Sequence, residues 1–287
     1  MYPLFSAFLY LATAVLVLCG DSARAKELAI ERARVQQAED GPTVASNFRF
    51  LPGEAVYLTF RIAGFATVEK EDDKRFVSLT YRVEAVDEAG LALAPASEGK
   101  IENEVFAEDR EWLPKVSFSF ELPMRMAGGQ YRLVAKVVDL AGKSTAAAEI
   151  PLRVEGPVTP VAKDLGIHEV RFFRQESDRE PLRVVAYQPG DPIWVRFVIA
   201  GYKLATGNKL DVEYGVTMSD PDGKIIVAQA VAAKDTYAGF YPCRTVPGIL
   251  NFTLSKDMPK GVYRVVVVAR DRIGNQTVER PLEFIVE

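Results

Sequence analysis

The sequence predicts an all-β chain, with two tandem antiparallel β-sandwich domains after an N-terminal signal helix. Three observations predict it. The stretch Pro52–Phe65, PGEAVYLTFRIAGF, returns 137 residues later as Pro189–Tyr202, PGDPIWVRFVIAGY, with Pro, Gly, Phe, Ile, Ala and Gly at matched positions. Both copies alternate: Val56, Leu58, Phe60 and Ile62 share one face, as do Ile193, Val195, Phe197 and Ile199. That is the period of a strand with one side in a core. Turn-forming Asp, Gly and Pro recur at matched places in both halves and cut each into short strands.

The chain opens on Leu4–Cys19, an uncharged apolar run followed by Ala23-Arg24-Ala25. An apolar run and then A-x-A is the order of a secretory signal, with cleavage expected after Ala25. Met1-Tyr2-Pro3 departs from the pattern in lacking Lys and Arg. The run is short of the roughly 20 residues a membrane-spanning helix needs, so membrane contact is expected only if the segment is left uncleaved. A bulky Leu in Leu16-Val17-Leu18, where lipid-attachment motifs need a small residue, argues against lipidation of Cys19.

The domains expected are 1–25 as signal, 26–155 as first sandwich, 156–164 as a Pro-containing linker and 165–287 as second sandwich. Each copy, of about 125 residues, can bury its own core. A hydrophobic fraction of 48%, a charged fraction of 26% and a net charge of −4 are those of an ordinary globular protein. No basic block or stripe is present, which excludes nucleic-acid binding of the usual phosphate-gripping kind. With Cys19 in the leader, Cys243 is left as a single thiol, so neither a disulfide framework nor a Cys-based zinc site is expected.

In chain order, Lys26–Gln37 and Leu165–Phe173 read as first strands, the repeated stretch as the second, and Phe76–Val86 as the next. Asp87–Gly90 and Asp220–Gly223 follow as turns, because the Asp side chain bonds local backbone and Gly accepts positive φ. Glu69–Arg75 reads as a solvated hairpin end. Val116–Leu122 is matched by 251–254, and Gly129–Val134 by Gly261–Val266. Each of the last pair runs to Asp139 or Asp271, turns at Gly142 or Gly274, and enters a final strand. Gly99–Pro114 and Lys234–Gly248 show no period and read as connections.

Gly129-Gln130-Tyr131-Arg132-Leu133 and Gly261-Val262-Tyr263-Arg264-Val265 resemble the sixth strand of immunoglobulin-like and fibronectin-III-like sandwiches of bacterial exported type. There a Tyr bonds back to the corner before it. Leu133 and Val265 stand where the antibody-type disulfide Cys would be. The resemblance implies a sandwich fold with binding or spacing roles, and it carries no catalytic residues over.

No catalytic, cofactor or metal site is expected. His168 is the only histidine, and no nucleophile-elbow, zincin, P-loop or dinucleotide motif is present. The candidate partner-binding loops carry Trp112 in the first copy and Tyr237, Phe240 and Tyr241 in the second. Aromatic side chains on loops of a rigid sandwich can receive a protein or glycan partner, or they can simply cover the end of the core. The reading is an exported, extracytoplasmic, non-enzymatic binding or spacer module at the cell envelope. Its alternative is an assembly module working through strand edges, and behind that a hydrolase of unrecognised type.

Overall fold

The computed structural model describes residues 27–71, 73–106, 108–109, 111–157 and 162–287. The predicted signal segment and its cleavage point, and residues 158–161 of the predicted linker, lie outside the described residues. Within them the protein is all β. The strands are β1 (Ala29–Gln36), β2 (Ala55–Ala63), β3 (Val68–Glu69), β4 (Lys74–Val86), β5 (Ser97–Phe106), β6 (Lys115–Glu121), β7 (Gly129–Asp139) and β8 (Ser144–Val154). After them come β9 (Gly166–Phe173), β10 (Ala186–Tyr187), β11 (Pro192–Ala200), β12 (Leu210–Ser219), β13 (Ile225–Tyr237), β14 (Thr245–Thr253), β15 (Gly261–Asp271) and β16 (Gln276–Val286).

They form two antiparallel sandwiches of one plan. Sheet β1-β2-β6 faces sheet β5-β4-β7-β8, with β3 beside the start of β4; sheet β9-β11-β14 faces β13-β12-β15-β16, which β10 extends. Only β10 runs parallel to its neighbour, and Phe50 makes the matching parallel bridge to Val154 in the first sandwich. The alternation places the cores. Val56, Leu58, Phe60 and Ile62 are buried against Leu79, Leu133 and Val137, and Ile193, Val195 and Ile199 against Val265, Val267 and Phe284. Each such side chain contributes about 1.5–3 kcal/mol through its burial.

The two stretches without period are largely strand. Residues 99–106 belong to β5, 234–237 to β13 and 245–248 to β14, leaving, among the described residues, connections only at 108–109, 111–114 and 238–244. β5 pairs on one side only, with β4, and β13 only with β12. An edge strand with both faces largely in solvent has no apolar alternation to betray it.

Two duplicated devices hold the strand ends. The Tyr131 hydroxyl donates to the Ala127 carbonyl and the Tyr263 hydroxyl to Pro259, each four residues back at 2.8 Å. At the other end of β7 and β15 a carboxylate is buried. Asp139 Oδ1 accepts from the Ala141 and Gly142 amides at 3.0 Å, and its Oδ2 accepts from Ala66 N at 2.6 Å. Asp271 repeats this with Ile273, Gly274 and Lys203, and adds Gln276 Nε2 at 3.3 Å. One side chain therefore ties the β7–β8 or β15–β16 turn to the chain crossing over from the opposite sheet.

Removing that carboxylate strands three backbone donors. Asp271→Ala is expected to cost about 3 kcal/mol or more, since each buried donor left without an acceptor costs about 1–3 kcal/mol. Asp271→Asn, which keeps one acceptor oxygen, should cost less. A urea midpoint unchanged in Asp271→Ala would refute the clamp.

Candidate functional site

The four aromatic residues singled out by sequence are not gathered at one place. Trp112 packs half-buried on the first core, edge-on to Phe65 with ring centroids 5.9 Å apart. Phe65 follows β2, at the end of the first sandwich remote from Asp87, which follows β4. Near Asp87 the second sandwich docks. Tyr241, only 7% exposed, belongs to the hydrophobic core of the first sandwich although it lies between β13 and β14 of the second. Its hydroxyl donates to Asp87 Oδ2 at 3.0 Å. The other Asp87 oxygen accepts from Leu91 N at 2.8 Å, so the turn after β4 is built around this carboxylate.

A second crossing contact stands beside the first. Arg125, on the β6–β7 connection, reaches both carboxylate oxygens of Asp235 on β13 through Nη1, at 2.9 and 2.8 Å. Its guanidinium also lies 4.9 Å from the centroid of the Tyr237 ring. Phe240, 57% exposed, is the one candidate aromatic that projects into solvent, and its carbonyl is held by Asn208 Nδ2 at 2.6 Å. Behind the joint is a cavity of about 130 Å³ lined by Arg125, Tyr202, Tyr241 and Cys243 among others. Drug-sized ligands occupy about 300 Å³ or more, so this space is too small to receive one. Cys243 is buried; its thiol donates to the Thr245 carbonyl at 3.1 Å, and Tyr202 donates to the Cys243 carbonyl at 2.9 Å. Among the described residues no three His, Cys, Asp or Glu side chains gather as a metal site would require, and no helix is long and apolar enough to cross a membrane.

The other notable surface is an edge. All seven residues of Ile225–Val231, IIVAQAV, are exposed on β13, and none is charged or Pro. An unpaired edge of this composition is a template for another strand. The matching edge in the first sandwich is blunted. On β5, Lys100 pairs with Glu102 at 2.6 Å, Glu104 with Lys74 at 3.3 Å, and Glu98 with Arg82. β13 leaves the sheet register twice: Tyr214 faces Ala233 but Val216 faces Gln229, and Met218 faces Val227 but Ser219 faces Ile225. Gly215 permits the first of these bulges, since a Cβ on it would stand 2.2 Å from the Ala230 carbonyl oxygen.

No family model matches this chain, and no curated protein matches it by sequence. Among solved structures it is similar to the C-terminal domain of the antigen I/II polypeptide BspA of Streptococcus agalactiae, at 9% identity over 90% of this chain and 100% of that one, with a TM-score of 0.30. It is similar also to the C-terminal domain of the antigen I/II-family protein AspA of Streptococcus pyogenes, at 11% identity over 89% and 99%, again with a TM-score of 0.30. Likeness at that level carries no inference about what this chain does.

The joint has an electrostatic signature. Burial, and then the hydrogen bond to Asp87, push the Tyr241 hydroxyl far above the ordinary tyrosine range; burial and the nearby Cys243 do the same to Tyr202. Free tyrosine ionises near about 10. Because the folded protein holds these protons longer, their contribution to stability is complete below that pH and is lost as the pH rises beyond it. The folded protein is therefore expected to lose stability between pH 9 and pH 11, with a late tyrosinate absorbance step. Tyr241→Phe should lower stability by about 1–2 kcal/mol and shrink this dependence, and Tyr241→Ala by about 3–5 kcal/mol. Urea unfolding at both pH values checks this, and equal pH dependence in wild type and Tyr241→Phe would count against it.

Proposed function

We propose that this chain is an extracytoplasmic, non-enzymatic binding module of the cell envelope that works in pairs. Two copies join along β13, and each carries two sandwiches of immunoglobulin-like type, residues 26–155 and 165–287, held at a set angle. Export rests on the apolar segment and A-x-A pattern before Lys26, and the immunoglobulin-like assignment on the tyrosine bonds of Tyr131 and Tyr263. The rigid angle rests on Tyr241 and Arg125, whose contacts with Asp87, Asp235 and Tyr237 draw two of the four candidate aromatics into the joint.

The observation that carries the pairing is the exposed, uncharged run Ile225–Val231 on an unpaired edge. Its occupant must offer main-chain donors and acceptors together with apolar side chains. A protein strand offers both, whereas a glycan brings no apolar side chains to cover Ile225–Val231. A second copy fits best. The run Ile225–Val231 is uncharged and apolar except for Gln229, so it can lie against itself about a twofold axis, as a closed dimer requires. A twofold pairing uses the β13 edge of both copies, so pairing along β13 stops at two.

Sedimentation equilibrium of the mature chain tests this. A concentration-dependent dimer is expected, and Val227→Lys and Val231→Lys should each weaken it by about tenfold or more, a change of about 1.4 kcal/mol or more in association energy. The melting temperature should scarcely move. A monomer at every concentration would overturn self-pairing. If that monomer bound an unrelated apolar strand-forming peptide, and Val227→Lys abolished that binding, the edge would belong to a foreign strand instead.

A further inference from the structure

The outward face of the first sandwich carries a second feature, independent of the β13 edge and the joint. β1 holds one residue more than β2 over a short span: Glu31 faces Arg61 and Arg34 faces Thr59, so Arg32 and Ala33 share the place opposite Phe60. Arg32 takes φ = 54° to make this bulge. A bulge shifts the alternation, so Ile30 meets the core before it and Val35 after it. The shift brings Arg32 and Arg34 to the rim of one concavity of about 270 Å³.

That concavity is also lined by Arg61, Lys115, Gln36, Thr59 and Asp40, together with Gly41 and Phe60. Four cations and a single carboxylate thus converge on one hollow in a chain of net charge −4. The carboxylate is already committed, since Asp40 is paired with Lys115. Arg61 is aimed by donating Nη1 to the Leu113 carbonyl at 3.0 Å. Arg32 and Arg34 have no carboxylate partner among the described residues, and Glu31, across from Arg61 in register, does not line the hollow. The floor is fixed: buried Gln36 accepts from Thr59 Oγ1 at 3.2 Å and donates to the Gly41 carbonyl.

The second sandwich has the same bulge without the hollow's chemistry. Glu169 takes φ = 51° where Arg32 stands, Phe173 replaces Gln36, and Val198 replaces Arg61. Arg196, in the place of Thr59, is satisfied by the Asp178 and Glu176 carbonyls and lies 4.2 Å from the Phe173 ring centroid. The fold needs the bulge, therefore, but not the cluster of arginines.

We propose that this hollow binds a compact oxyanion of the sulfate or phosphate class. Guanidinium groups grip such a group in pairs, and an anion in the hollow relieves the repulsion among the four cations. The size admits one such group with its point of attachment, and so suits a sulfate or phosphate ester on a larger chain as well as the free ion.

The test is a titration of the whole mature chain, followed by amide NMR, with sodium sulfate and with inorganic phosphate at ionic strength held constant by chloride. Saturable shifts confined to residues 32–41, 59–61 and 115 are expected. Arg34→Gln and Arg32→Gln should each weaken binding about tenfold or more, while Arg171→Gln, the matched change in the second sandwich, should leave it unaltered. Dextran sulfate, with neutral dextran beside it, tells the source: tighter binding than free sulfate means a polymer-borne group, and equal affinity per sulfate means the free ion. Shifts that rise linearly without saturation, that chloride reproduces, or that survive in both Arg34→Gln and Arg32→Gln would overturn the proposal.

Discussion

Asp139 and Asp271 do for this protein what disulfides do in many small sandwiches. Each is 1% exposed. A buried carboxylate is costly unless every lone pair finds a donor, and here the donors are backbone amides from a hairpin turn and from the chain passing between the sheets. The two sheets are thereby fastened at one end, while the tyrosine hydroxyls of β7 and β15 fasten the corner at the other. Between these fixed ends the apolar layer can be built from Val, Leu, Ile and Phe with no covalent staple, and Cys243 is free to serve as a small buried side chain.

Much of this could be read in the residues because it is periodic or local. The alternation of Val56 to Ile62, its echo 137 residues on, and the Asp-to-Gly turns are all set by neighbours in sequence, and the structure follows them strand by strand. β5 and the end of β13, residues 234–237, escaped because their faces stay largely open to solvent, which leaves little of the apolar alternation that marks a half-buried strand. Tyr241 was legible as an aromatic on a connection, but its destination was not. The partner, Asp87, lies 154 residues away, and a single contact between two folded bodies leaves no period to detect. The basic hollow escaped for a related reason: without the bulge at Arg32, the register of β1 against β2 cannot be counted from the sequence.

The two copies have diverged where the fold does not constrain them. They keep the core positions, the bulge, the tyrosine and the buried aspartate. They differ in the edge strand, charged on β5 and apolar on β13, in the outer face of the three-stranded sheet, and in the connection that supplies Tyr241. A duplicated scaffold can thus give one copy a surface for association and the other a surface for a charged ligand, with the joint setting the geometry between them.

The direction in which the chain threads each sandwich has a mechanical meaning. In the first sandwich β1 enters at the end where Ala29 faces Ala63, and β8 leaves at the opposite end, where Val154 faces Gly129. Tension along the backbone therefore loads these strands lengthwise, so that many ladder hydrogen bonds must yield together instead of opening singly from one end. Resistance to such a pull follows the unfolding rate and not the equilibrium stability. A chain threaded in this way is suited to carrying load between two anchored points.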